Sequence, residues 1–245
     1  MPAAISTYLT MSPKAYNFDQ FYQAWIVPHC LVGLSGVWLR LINDGAVWWL
    51  GLMTLSFLIY LSQARKALHG FPLLLGYANM VTTLRLLIIL STLVFSTHLS
   101  PLEIALLLLL AILMDGLDGF LARRFQQTSL FGERLDMETD AFLVAAVSIY
   151  HATHGLAPQW IIVPGLMRYF FGLAVLFFKS GGKEMTSKRF RATIAVIFFG
   201  SLLTPFVIPR PLSDWVVQIA GGLILLSFGL SFFALMLHQV KSTHR

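Results

Sequence analysis

Charge is scarce in this sequence: 11% of its 245 residues are Asp, Glu, Lys or Arg, against about 25% in ordinary soluble domains. That shortage excludes a chain whose surface is mostly hydrated. Cysteine is almost missing as well. The single Cys30 lies in an apolar run, so an internal disulfide and a structural cysteine–metal site are both ruled out, and the residue reads as small apolar filler. The beginning lacks the basic start of a cleavable leader, since Lys14 alone precedes Gln20 and the apolar run opens near Tyr22; the first span is expected to be retained. No repeat, low-complexity tract or linker divides the chain.

What is present is hydrocarbon. Hydrophobic residues make up 57% of the chain, in runs of the roughly 17 to 25 residues needed to cross a bilayer. We read an all-α integral membrane protein, a polytopic helical bundle with eight spans at about 22–41, 46–63, 76–97, 101–122, 135–153, 158–178, 192–208 and 213–238. Residues 2–21 mix aromatic and polar side chains, which suits an interfacial segment or a disordered tail. Trp48, Trp49, Trp160 and Trp215 fall near span ends and read as an aromatic belt. Of the 17 Lys and Arg, Arg85 and Arg168 fall inside spans, Arg40 and Arg210 on one side, and all the rest on the other. The rich side is expected to be cytoplasmic, with both termini inside. The net charge of +6 therefore reflects topology and an anionic lipid surface, and nucleic acid is not an expected partner. Gly181 and Gly182 mark a flexible cytoplasmic loop.

Acidic residues in such a chain need a reason, because Asp at mid-helix costs about 2.5–3.5 kcal/mol on insertion scales. Of only eleven acids, Asp115, Asp118, Glu133, Asp136, Glu138 and Asp140 crowd into one stretch. Ser100, Pro101 and Glu103 have the form of an N-cap, a first-turn proline and a capping-box acid, so the fourth helix should start at Pro101. At the helical rise Asp115 then lies ~21 Å and Asp118 ~26 Å along it, just beneath the cytoplasmic surface of a core ~30 Å thick. Residues three and four apart share a face, so Asp115, Asp118, Gly119 and Ala122 form one stripe with Arg123 at its edge. Gly132, Asp136 and Asp140 form another on the next helix. Four ionised carboxylates in a low dielectric demand a counter-ion. Hard divalent cations, Mg²⁺ or Mn²⁺, suit carboxylate oxygen, and zinc does not, because the cluster holds no His or Cys.

The stretch MDGLDGFLARRFQQTSLFGERLDMETDAF resembles the signature of the CDP-alcohol phosphatidyltransferase family, D-x2-D-G-x2-A-R-x8-G-x3-D-x3-D. Asp115, Asp118, Gly119, Ala122, Arg123, Gly132, Asp136 and Asp140 match it without gap or substitution. Asn79, Thr82 and Arg85 look like the N-x2-T-x2-R entry to the family's first core helix. The resemblance covers about residues 76–238. It implies a six-helix core over 71–245 preceded by an N-terminal extension, 1–70, with two further spans. It also implies two divalent ions held by the four Asp, Asp140 as catalytic base with Asp136 beside it, and a CDP site formed by Gly119, Ala122, Arg123, Asn79 and Thr82. A homodimer open to the cytoplasm is implied too. Several members that make phosphatidylglycerophosphate or cardiolipin carry Pro after the third Asp, whereas here Met137 and Glu138 follow Asp136.

The residues then fit transfer of a phosphatidyl-type group from a CDP-linked lipid to an alcohol, with CMP released. Arg168 sits inside the sixth span, where a lone base is expensive. With Lys188, Arg189 and Arg191 it could bind the phosphate of an acceptor such as glycerol 3-phosphate. Glu138 would instead suit a cationic acceptor, and amino-alcohol or lipid acceptors stay open. Plainer readings exist for each element. Arg85 could snorkel, Arg124 could be a topological anchor, and Gly119, Ala122 and Gly132 could serve helix packing. His98, His151 and His154 fall near the outer surface. A divalent-cation transporter would also place carboxylates in a membrane, but along a path near the midplane and often in repeated halves, not at one face. A catalytically idle binding protein would not need the intact motif.

Overall fold

The computed structural model describes residues 13–39, 41–42, 45–67, 76–126, 128–178 and 188–243. Residues 2–12 of the expected interfacial segment and the loop with Gly181 and Gly182 lie outside them. The described chain is helical throughout: α1 (Pro13–Leu39), α2 (Gly45–Ala67), α3 (Tyr77–Val94), α4 (Pro101–Arg124), α5 (Leu130–Thr153), α6 (Ile162–Phe178), α7 (Lys188–Ser201), the short α8 (Thr204–Val207) and α9 (Leu212–Thr243). Four of these are long and apolar enough to cross a membrane on composition alone: Gly45–Ser62, Tyr77–Val94, Pro101–Arg124 and Leu212–Phe233. The protein is a polytopic helical membrane protein.

Helix ends show where sequence reasoning held and where it slipped. α4 starts at Pro101, and its capping box is complete: the Glu103 amide donates to Ser100 Oγ and the Ser100 amide donates to Glu103 Oε2. α5 starts five residues earlier than expected, at Leu130, because the Ser129 hydroxyl accepts from the Gly132 amide and caps the helix. The expected boundary followed hydropathy, which is blind to a polar first turn. Residues 13–21 are helical and continuous with the first span. The expected seventh span divides into α7 and α8 after Ser201, since Pro205 cannot donate to Ser201 and its ring would clash with that carbonyl.

α5 is the central helix. It packs against α1, α2, α3 and α6, and its residues 141–149 are buried all round, as expected of a helix that meets neighbours on every side. α3 and α4 form one close pair, α1 and α2 another, and α9 packs on α6 and α7. The leucines of α4, Leu102, Leu106, Leu110, Leu113 and Leu117, point outward to where acyl chains would contact them. Trp48, Trp160 and Trp215 are exposed at helix ends, but Trp49 is not part of that belt. It is buried, stacks on Phe142 and aims its indole N–H at the carbonyls of Val32 and Gly33, 3.0 and 3.1 Å away. One position along the helix turns the side chain by about 100°, so adjacent tryptophans face lipid and core respectively. Cys30 is buried.

Close approach of α1 to α6 depends on Gly33. A Cβ there would lie 2.8 Å from the ring of the fully buried Tyr169, whereas one at Gly51 would meet nothing within 4 Å. Gly33→Ala is expected to lower the melting temperature of the detergent-solubilised protein. Gly51→Ala, also mid-helix, is expected to leave it unchanged or raise it; equal melting of the two variants would show that the contact is not tight.

Candidate metal and phosphate site

The N-terminal ends of α3 and α5 and the C-terminal end of α4 meet at one end of the bundle, and they bring the acidic stripes together. From α3, Arg85 enters between them. Its guanidinium is fully buried, and Nη1 lies 2.8 Å from Asp115 Oδ1, 3.2 Å from Asp118 Oδ2 and 3.1 Å from Asp136 Oδ1, while Nη2 pairs with Asp140. Arg85 is therefore not a snorkelling anchor. The signal that could have found it was present: it continues the Asn79, Thr82 stripe at intervals of three, and a buried base about two turns below the helix entry needs acids near it.

Asp118 is the most enclosed of the four, with 5% of its side chain exposed, while the others keep between 31% and 40%. Thr82 fixes it, donating its hydroxyl to Oδ2 at 2.8 Å, and the Gly119 amide donates to Oδ1 at 2.6 Å. The Thr82 hydroxyl, expected to serve CDP, is thus engaged with a carboxylate. Asp115, Asp118 and Asp136 present oxygens within 4.8 Å of one another; Asp140 lies outside that trio and joins it through Arg85.

A metal fits this donor set. Three carboxylates offer only oxygen, the ligand of hard divalent ions, and no His or Cys stands among them. Charge argues the same way. If all four Asp are ionised against one Arg, three negative charges are left uncompensated, and a low dielectric answers with protonation or with added cations. Arg85 stands where such a cation would sit.

Beside the trio opens a cavity of about 470 Å³ lined by Ala78, Asn79, Thr82, Asp118, Gly119, Ala122, Arg123, Thr128, Ser129, Leu130, Gly132, Glu133 and Asp136. Its size falls in the range typical of small-ligand sites. Gly119, Ala122, Arg123, Asn79 and Thr82, which the motif groups as one binding set, all border it. Gly132 has a packing reason to be glycine, since a Cβ would come within 2.5 Å of Asn79 Oδ1. Gly119 does not: a Cβ there would touch only the Arg123 guanidinium, at 3.4 Å, so its smallness keeps the cavity wall open. Arg124 points elsewhere, over the ring of Phe120.

Arg168 is elsewhere too, and it is not a lone base. Its Nη2 lies 2.7 Å from Oε1 of Glu138, which is 1% exposed and also accepts from the Tyr22 hydroxyl at 2.8 Å. Glu138 therefore faces α1 and α6, away from the Asp face of its own helix, and offers no carboxylate to a cationic substrate. His29 approaches the same carboxylate at 3.9 Å and holds Ser56 at 2.9 Å. The side chains of Lys188, Arg189 and Arg191 lie outside the described residues; their backbone opens α7. His151, His154 and His98 stand towards the other end of the bundle: His151 is buried against the Leu202 carbonyl, His154 stacks on Tyr150, and His98 closes the turn after α3.

Bundle and site together define the class: an integral membrane protein with an acidic centre able to hold a metal and a small-ligand cavity beside it at one end of its helices. The chain belongs to the CDP-alcohol phosphatidyltransferase family, whose model matches residues 75–237. It is 43% identical over 65 residues to a CDP-diacylglycerol–glycerol-3-phosphate 3-phosphatidyltransferase of Sodalis glossinidius, 26% of this chain and 35% of that one. Proteins of the same name from Pectobacterium atrosepticum and Yersinia pestis are 40% and 38% identical over the same lengths and shares. The chain thus spans about a third of the length of the curated relatives it matches. No solved structure gives a significant match.

Removing the Glu138 carboxylate leaves Arg168 and the Tyr22 hydroxyl without their partner in a buried setting. Glu138→Ala is expected to destabilise the protein by about 3 kcal/mol, the low end of the range for breaking a buried pair because Arg168 keeps some exposure. The joint replacement Glu138→Leu with Arg168→Leu should recover much of that loss in the same thermal denaturation measurement.

Proposed function

We propose that the protein transfers a phosphatidyl-type group from a CDP-linked lipid, CDP-diacylglycerol in the first instance, to an alcohol acceptor with release of CMP, as a step of phospholipid biosynthesis. The observation that carries this reading is the convergence of four carboxylates from two helices beside a cavity bordered by Gly119, Ala122 and Arg123. Asp115, Asp118, Asp136 and Asp140 are the residues that would hold Mg²⁺ or Mn²⁺, two ions in this reading. When bound, those ions supply positive charge to the diphosphate and to the CMP that leaves.

The chain's own groups do the rest. Gly119 and Ala122 leave room for the nucleotide against α4, and Arg123 holds phosphate oxygens in the fork geometry that guanidinium provides. Asp140 takes the proton of the acceptor hydroxyl. The acceptor oxygen forms a bond to the lipid-side phosphorus as the bond from that phosphorus to the CMP oxygen breaks. Both lipid tails stay in the bilayer. The Lys and Arg asymmetry supports a site at the cytoplasmic face, in the inner or plasma membrane if the cell is prokaryotic, and the family resemblance supports a homodimer.

Glycerol 3-phosphate is the acceptor we favour. The relatives carry that substrate in their names; Arg168, paired with Glu138 but a quarter exposed, would turn its free edge to that phosphate together with Lys188, Arg189 and Arg191.

The purified protein with CDP-diacylglycerol, Mg²⁺ or Mn²⁺ and a panel of alcohols is the direct test, read as CMP and lipid product. Asp136→Asn and Asp140→Asn should each reduce turnover at least ~100-fold, the scale of losing a general base or a metal ligand, with melting behaviour that still reports a folded protein. A chelator should stop the reaction and added Mg²⁺ or Mn²⁺ restore it. Full activity in either variant, or turnover that persists with the chelator, removes the assignment.

Arg168→Ala should raise KM for glycerol 3-phosphate while KM for CDP-diacylglycerol stays as it was. An unchanged acceptor KM reduces Arg168 to the partner of Glu138.

A further inference from the structure

The Arg85 guanidinium and a divalent ion want the same oxygens. Nη1 alone contacts Asp115 Oδ1, Asp118 Oδ2 and Asp136 Oδ1, all within 3.2 Å, and these three residues are the ones whose oxygens gather closely enough for a metal. Guanidinium is a donor with no lone pair to offer, so it cannot become a ligand. An ion bonded at about 2.0–2.1 Å to those oxygens would occupy the volume of Nη1. The two cations exclude each other by space as well as by charge.

The remaining contacts of Arg85 say how it is held. Its Nε is buried with no hydrogen-bond partner among the described residues, so the guanidinium is anchored at its tip, by the carboxylates. Asp118, in contrast, keeps Thr82 and the Gly119 amide whether or not Arg85 is present. The carboxylates also come from two different helices, α4 and α5, and Arg85 from a third. Without a cation between them, four acids on facing helices would repel one another.

We propose that Arg85 is a placeholder cation: it holds α4 and α5 together through their carboxylates before metal arrives, and its Nη1 gives up the shared oxygens when a divalent ion binds. This rests on the metal reading given above. It makes Arg85 a positioning residue whose effect on metal affinity has a definite sign. Removing its charge weakens the metal-free protein and strengthens the hold on metal, whereas a residue that merely helped to bind metal would do the opposite.

The experiment measures Mn²⁺ affinity by electron paramagnetic resonance and the melting temperature with and without Mn²⁺, on detergent-solubilised wild type, Arg85→Gln and Arg85→Lys. Arg85→Gln should melt lower than wild type without metal, gain more from Mn²⁺ than wild type gains, and bind Mn²⁺ about tenfold or more tightly, because one unit charge next to the ion has been removed. Arg85→Lys, which keeps the charge, should stay nearer to wild type in the melting temperature of its metal-free form. Mn²⁺ affinity that is unchanged or weaker in Arg85→Gln overturns the proposal. If Arg85→Gln does not fold, the wild type decides through a structure solved with Mn²⁺: the ion on Asp115, Asp118 and Asp136 with Nη1 withdrawn supports the proposal, and Nη1 still in contact with all three carboxylates overturns it. Absence of any Mn²⁺ binding to the wild type sinks the metal reading, and this inference with it. Binding with Arg85 unmoved sinks this inference alone.

Discussion

Carboxylates repel one another across a medium that screens poorly, and this protein places four of them within reach of a single guanidinium at one end of its helical bundle. The position of Arg85 between α4 and α5 is the constraint on which the site depends. It requires α3 to enter the bundle beside both acidic helices, and it requires their acidic stripes to face one another. The Gly132 approach to Asn79 and the Ser129 cap then follow as the local means of bringing the first turn of α5 up against α3.

The back of α5 carries the opposite arrangement. Where Asp136 and Asp140 share the face that meets Arg85, Glu138 between them turns to the interior and is closed in by Arg168, Tyr22 and His29. One helix thus holds an acidic face toward Arg85 and a polar knot for packing, set apart by the 100° step between neighbouring residues. α1 takes part in that knot, so the segment ahead of the family core is joined to the helix that carries the acids. Trp49 and Phe57 of α2 reach the same helix at Phe142.

Much of this was legible in the residues. The capping box located α4 to the residue, and intervals of three and four grouped Asp115 with Asp118 and Asp136 with Asp140 on common faces. The fixed spacing of eight motif residues pointed to one family, to which the match over residues 75–237 assigns the chain. Other features had no such mark. Arg85 and Arg168 looked alike as bases inside apolar spans, yet one meets four Asp and the other a single Glu. Trp48 and Trp49 looked alike as belt residues, yet one faces out and the other fills the core. Hydropathy treats each pair as equal because it counts composition and not partners.

The sequence by itself determined the helical class, the membrane setting, the capping-box start of α4 and the identity of the acidic stripes, because each of these follows from local chemistry and from a period of 3.6 residues. Only the tertiary structure decided which cation meets which anion and which small residue is needed for contact. The pairings of Arg85 and Arg168 join residues 30 to 55 positions apart, and no local rule reaches so far; they arise when helices from separate parts of the chain pack and leave each buried charge a short list of neighbours.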